Sequence, residues 1–206
     1  MYTPAHFAET DPAVISSVIA EHPLATLIAQ TPAGLVANHI PLLQVGGALI
    51  GHVALANDLH RDLPDGSPVL AVFGAMDAYI SPNWYPSKAE THRAVPTWNY
   101  RVVHVHGRIT WSHAARDKRR AVHLLTAMME GRVNGAQGWK MGDAPADYMA
   151  GMIDAIVAFR IEIDRVQAKC KLSQNRSDAD RAGVVQGLGS GMVADAIGAA
   201  PGRDPG

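Results

Sequence analysis

Two stretches far apart in the chain alternate apolar and polar side chains with period two. In residues 101–109, Val103 and Val105 point one way and His104 and His106 the other. In residues 156–165, Phe159, Ile161 and Ile163 face in while Arg160, Glu162 and Asp164 face out. Successive side chains of a strand leave opposite faces, so each stretch reads as a half-buried strand with one face on a core. Residues 24–30, 35–45, 48–54, 69–73 and 78–81 are also apolar or β-branched and bounded by turn residues, which brings the count to about seven strands. Gly46-Gly47 is a two-residue hairpin signal, since both glycines tolerate positive φ. The expected class is mainly β with helices (α+β), an antiparallel barrel decorated by helices. The regular βαβ alternation of a dinucleotide-binding sheet is missing.

Helix signals are fewer. Asp11 is a plausible N-cap with Pro12 at the first helical position, and His22-Pro23 ends that helix. Residues 56–62 read as a short helix or turn. Residues 81–96 carry Pro82, Pro86 and Pro96 and are expected to be mostly irregular. Residues 114–130 repeat Ala121, Val122, Leu125, Met128 and Met129 at helical spacing, with Gly131 as a stop. Pro145 opens a further helix to about residue 155, and another spans about 177–188. One domain over residues 1–190 is expected, with 191–206 as a partly disordered tail.

The 206 residues can bury a core without staples. The single cysteine, Cys170, excludes an intramolecular disulfide and fits a reducing compartment, so a cytoplasmic location is expected. The first residues lack a basic segment followed by an apolar run, and no apolar stretch approaches about 18 residues, so no membrane association is expected. With 18 basic against 19 acidic residues the chain is not a dedicated nucleic-acid binder. The run Arg116 to Arg120 is locally basic, and any direct DNA binding is expected to be weak and electrostatic.

The residues that could carry chemistry cluster in two places. Trp84, Tyr85, Trp98 and Tyr100 flank a segment holding Ser81, Asn83, Lys88, Thr97 and Asn99. A planar heterocycle needs faces to stack on and groups to fix its edge, and an anchored long loop or a dimer contact uses the same residues. Lys171-Leu172-Ser173-Gln174-Asn175-Arg176 puts two cations and three hydrogen-bonding side chains within six residues, which suits a phosphate, a polar ring edge or a helix N-cap. His104 and His106 share a strand face with no spacing that pins a metal, and none is expected. Gly187-Leu188-Gly189-Ser190-Gly191 lacks nucleotide-loop spacing and reads as a helix terminus. No acid/base pair or nucleophile motif stands at diagnostic spacing, so the catalytic residues stay unassigned.

An ordered series of segments resembles the PaiB family of FMN-binding negative transcriptional regulators. It begins with Met1-Tyr2-Thr3-Pro4 and Phe7, then His22-Pro23-Leu24-Ala25-Thr26-Leu27, His39-Ile40-Pro41-Leu42 and Gly51-His52-Val53-Ala54 with Ala56-Asn57. It continues through Ala78-Tyr79-Ile80-Ser81-Pro82-Asn83-Trp84-Tyr85-Pro86 and Val95-Pro96-Thr97-Trp98-Asn99-Tyr100 to the 171–176 segment. The resemblance implies a split β-barrel of the pyridoxamine-phosphate-oxidase-like type, FMN as cofactor, and a homodimer with FMN at its interface. The cofactor residues it implies are Ile40, His52, Asn57, Ser81, Trp84, Lys88, Thr97, Trp98 and Tyr100, closed by Lys171, Gln174 and Arg176. One departure stands out: Leu55 occupies a position where the family often has arginine. A cation for the phosphate is then either missing or supplied elsewhere, for instance by Arg61, Lys88 or Arg176. Beside a regulator, an FMN-dependent oxidoreductase and a haem-handling protein (the chain has ten histidines) remain as readings.

Overall fold

The computed structural model describes residues 1–200 and 202. Helix α1 (Pro12–Glu21) starts where expected, with the Ala13 amide donating to Asp11 Oδ1 at 2.8 Å. Eight strands follow the chain as β1 (Ala8–Glu9), β2 (Leu24–Thr31), β3 (Gly34–Pro41), β4 (Leu43–Val45), β5 (Ala48–Ala54), β6 (Ser67–Ile80), β7 (Thr97–Ser112) and β8 (Ile156–Lys171). Their hydrogen-bonded order is β3-β2-β6-β7-β8-β5-β4, with β1 paired to β8, and the assigned pairs β1–β8, β2–β3, β2–β6, β4–β5 and β5–β8 are antiparallel. Helices α2 (Leu59–Asp62), α3 (Ser87–Thr91), α4 (Ala115–Val133), α5 (Ala146–Asp154), α6 (Asp178–Leu188) and α7 (Met192–Ala199) complete the elements.

Contacts gather into two compact units, each built from separate pieces of chain. One comprises Met1–Val18, Gly74–Val103 and Gln167–Gly206, the other Ile19–Phe73 and His104–Val166. In the second unit, β2 buries Ala25, Leu27 and Ala29 on alternate positions, β5 buries Leu49 and Val53, and β8 buries Val157, Phe159 and Ile161. A Cβ on Gly51 would stand 2.6 Å from the Phe159 ring and 2.7 Å from Leu42, so only glycine lets β5 carry that ring. In the first unit, Ile80, Tyr85, Cys170, Leu172, Val184, Ala196 and Ile197 form a separate buried cluster.

Five sequence expectations need correction. The expected strand 35–45 is two strands: Pro41 has no N–H for a ladder, and fully buried Leu42 donates its amide to Pro23 O at 2.8 Å. The two pieces 69–73 and 78–81 are one strand, β6. Burial stops alternating around Gly74 and Asp77, but strands are held by backbone pairing, and β6 lies between β2 and β7. Residues 81–96 hold a 3-10 turn, Pro82–Trp84, and helix α3. Gly131 does not stop α4. A solvated glycine costs a helix only about 1 kcal/mol, and the helix runs on until Asn134 donates to Glu130 O at 2.8 Å. The expected tail contains α7, whose Ala194, Ala196 and Ile197 are buried. Arg181 donates to the carbonyls of Ile197, at 2.8 Å, and Ala200 at its C-terminal end. Residues 201 and 203–206 lie outside the described residues.

Candidate functional site

The start of β7 and the loop after β8 are stitched together side by side in the first unit. Lys171, the last residue of β8, donates its Nζ to Trp98 O at 2.8 Å and to Thr97 Oγ1. Asn99 is fully buried, and its Nδ2 donates to Ser173 Oγ at 2.8 Å. Gln174 turns back on its own strand, donating to Cys170 O at 2.6 Å and accepting from the Leu172 amide at 2.7 Å. Its side chain is thus spent inside the loop. The Arg176 guanidinium lies 4.7 Å from the Tyr85 ring centroid, and Lys169 Nζ lies 5.3 Å from that of Tyr100. Both are cation–π contacts that leave the charges uncompensated. Among the described residues, no carboxylate forms an ion pair with Lys169, Lys171 or Arg176. Burial, and after it the charges of Lys169 and Arg176, hold the Lys171 ammonium below the ordinary lysine range. Three cations in mutual range with no acid among them suit a phosphate.

An aromatic pair belongs to the same strand start. Trp98 is 53% exposed and meets Tyr79, itself 47% exposed, edge to face at 5.9 Å between centroids. Trp84 does not share that exposure. A Cβ on Gly187 would stand 2.4 Å from its indole ring, and one on Gly183 would stand 2.1 Å from its carbonyl oxygen, so the residue lies flat against α6. Buried Asp180 holds the same segment from α6, accepting from the Ser87 amide at 3.1 Å and the Ser87 hydroxyl at 2.7 Å. Ser81 Oγ accepts from the Asn83 amide at 3.2 Å, and Lys88 Nζ donates to Asn83 Oδ1 at 2.5 Å. Ser81 and Lys88 therefore order their own loop.

In the second unit, Asn57 is engaged twice. It donates to Asn38 Oδ1 at 2.9 Å, and its Oδ1 accepts from the Leu59 amide at 3.0 Å, starting α2. Ile40 is buried on β3. His52, on β5 opposite Ala158, is half-buried, and its Nδ1 is buried without a hydrogen-bond partner. Burial lowers its pKa, so the ring is neutral near pH 7. Of the candidate replacements for the family arginine at position 55, Arg61 is paired with Asp58 at 2.5 Å and Lys88 is held by Asn83. Among the described residues, Arg176 forms no ion pair.

Sequence reasoning placed Asn99 and Ser173 in the two polar clusters without giving either a role in the cofactor site, and it left Asp180 out altogether. Their partners are 74 and 93 residues away, so no local pattern could announce them.

Comparison with known proteins bears on the family and the fold. A protein-family model described as "Putative FMN-binding domain" matches residues 1–165, so the 171–176 loop lies beyond the matched span. The chain is 29% identical over 193 residues to the Protease synthase and sporulation protein PAI 2, a PaiB protein, of Bacillus subtilis, covering 91% of this chain and 89% of that one. It is 32% identical over 155 residues to an uncharacterized protein of Aspergillus fumigatus, covering 68% of this chain and 59% of the other. Among solved structures, the FAD and heme binding protein from Mycobacterium smegmatis has a TM-score of 0.60 at 21% identity, covering 85% of this chain and 78% of its own. A flavocytochrome from Azotobacter vinelandii has a TM-score of 0.59 at 15% identity, covering 85% and 75%. At such identities the likeness speaks for the fold, and it is the antiparallel split-barrel class expected from the sequence. No helix among the described residues is long and apolar enough to cross a membrane. The chain belongs to the family of the FMN-binding domain whose model spans residues 1–165.

Proposed function

We propose that the protein binds FMN with the phosphate on Lys171 and Arg176, and that it works as a flavin-responsive negative transcriptional regulator of the PaiB type, as a homodimer. The observation that carries the cofactor assignment is the set of three cations, Lys169, Lys171 and Arg176, which form no ion pair with a carboxylate among the described residues. Guanidinium and ammonium groups are the usual phosphate partners, one forked and one a point charge. The exposed Trp98–Tyr79 pair offers a ring face beside them. The regulatory part of the reading leans on the likeness to PAI 2, whose name ties that protein to protease synthesis and sporulation. Regulation then runs through a partner or small molecule, because a chain of net charge −1 has little electrostatic affinity for DNA.

The test is a titration of the flavin-free full chain with FMN and with riboflavin, which lacks the phosphate, read by quenching of flavin fluorescence. FMN is expected to bind at least about tenfold tighter than riboflavin, the worth of one or two charge-assisted hydrogen bonds. No quenching by FMN up to about millimolar, where binding is worth only about 4 kcal/mol, refutes the assignment. Steady NAD(P)H consumption by the FMN-loaded protein replaces the regulator with an oxidoreductase, and a Soret band in the purified protein replaces it with a haem protein. Sequence-selective nanomolar binding to a promoter duplex at about physiological salt restores direct repression.

A further inference from the structure

Two costly features meet beneath the loop that carries the cations. Ser173 has φ +61°, the left-handed backbone that L side chains adopt at a cost. Asn99 has no exposed surface, and its Oδ1 finds no hydrogen-bond partner, which also costs free energy in a buried group. The Asn99 Nδ2 to Ser173 Oγ bond, 2.8 Å long, joins the two. Strain of this kind persists where the surroundings over-determine it, and it gathers at binding sites.

The geometry gives the strain a task. Lys171 is tied to the start of β7 through Trp98 O and Thr97 Oγ1. Arg176 comes five residues later, beyond a turn that its own amide closes by donating to Ser173 O at 3.0 Å. Lys171 therefore stays with β7 whatever Ser173 does, whereas the course of the chain to Arg176 depends on Ser173's φ. If Ser173 relaxed to ordinary backbone, the turn would open and Arg176 would swing away from Lys171. Gln174 braces the loop from the β8 side, through Cys170 O and the Leu172 amide. Asn99 is the brace from the neighbouring strand.

We infer that Asn99 is a positioning residue for the phosphate end of the flavin site: by holding the Ser173 hydroxyl it keeps the turn left-handed and fixes the separation of Lys171 and Arg176. The inference rests on the assignment of those two cations to the phosphate. Asn99 touches no ligand itself. Its effect belongs to the phosphate and is absent from the ring system.

The experiment compares FMN and riboflavin dissociation constants, with melting temperature as a check on folding, for the full chain and for Lys171→Ala, Arg176→Ala, Asn99→Ala, Ser173→Ala and the Asn99→Ala/Ser173→Ala double variant. Lys171→Ala and Arg176→Ala should each cut the preference for FMN over riboflavin about tenfold or more, the loss of one charge-assisted contact. Asn99→Ala and Ser173→Ala should each cut it by a similar factor, with riboflavin affinity within about twofold. The double variant should lose little beyond either single one, since both remove the same bond. If Asn99→Ala does not fold, Ser173→Ala, which leaves the carboxamide in place, reads the same bond. If the two cation variants keep the wild-type preference, the phosphate assignment fails and the inference with it. If they lose the preference while Asn99→Ala and Ser173→Ala keep it, or weaken both flavins equally, Asn99 is a core residue only and the inference alone is overturned.

Discussion

Replacing glycine by alanine in a helix interior ordinarily stabilises, and this chain offers two positions where the same change should have opposite signs. At Gly131 in α4 an added Cβ meets nothing within 4 Å. Alanine there should add about 0.5–1 kcal/mol, the difference in helix propensity. At Gly183 in α6 the added Cβ would stand 2.1 Å from Trp84 O, 3.0 Å from Pro86 Cδ and 3.3 Å from Trp84 C. An ordinary carbon–oxygen contact is over 3 Å, so helix or loop must retreat by about 1 Å. The nearest atom is main chain, and no rotamer change relieves it. Overpacking of this kind costs about 1–3 kcal/mol, occasionally more, against the same gain of about 1 kcal/mol in propensity. The net is a loss of up to about 2 kcal/mol, and the two variants should differ by roughly 1–3 kcal/mol. For a chain this long 1 kcal/mol moves the melting temperature by about 2–4 °C, so Gly131→Ala should melt above wild type and Gly183→Ala below. Urea unfolding of the flavin-free chain gives the same comparison free of ligand. A Gly183→Ala variant as stable as Gly131→Ala would refute the close approach of α6 to the Trp84 segment and with it the account of how that segment is held.

Stability should also depend on pH through His52. Its folded pKa lies below the ordinary value of about 6.5, so in the window between the two the unfolded chain binds more protons, and stability is lost as pH falls through that window. His52→Gln should flatten the fall in urea-unfolding free energy from about pH 6.5 downward, leaving the slope that His104, lowered likewise by burial, contributes. An unchanged slope would show that His52 titrates alike in both states. Sedimentation at micromolar concentration should give twice the 21.9 kDa chain mass, with exposed Trp98 and Tyr79 among the covered groups. A monomer for wild type, or an unaltered dimer for Trp98→Asp, would remove that surface from the interface.

What was legible in the sequence was local. Asp11 capping α1, the Gly46-Gly47 hairpin with Gly46 at φ +60°, and β5 with its limits at 48 and 54 all follow from neighbours a few residues apart. The full lengths of β6 and β8 did not, because their outer ends are maintained by pairing where burial no longer alternates. The site was legible as a set of residue types and not as a geometry. Trp84 looked available for stacking, and only the two missing side chains of Gly183 and Gly187, a hundred residues on, let α6 take it up. Asn99 looked like one more polar residue in an aromatic stretch until the fold set Ser173 against it.

The chain passes between its two compact units four times, after Val18, Phe73, Val103 and Val166. Each passage falls inside a regular element: α1, β6, β7 and β8. Domains that can be lifted out of a protein are joined by exposed linkers, and here there is no linker to cut. A truncation at any of the four points severs a helix or a strand in mid-course and leaves each remaining piece without part of its own core. Neither unit can therefore be cut out as one continuous segment. A protease that nicks a loop between elements should leave fragments that stay associated.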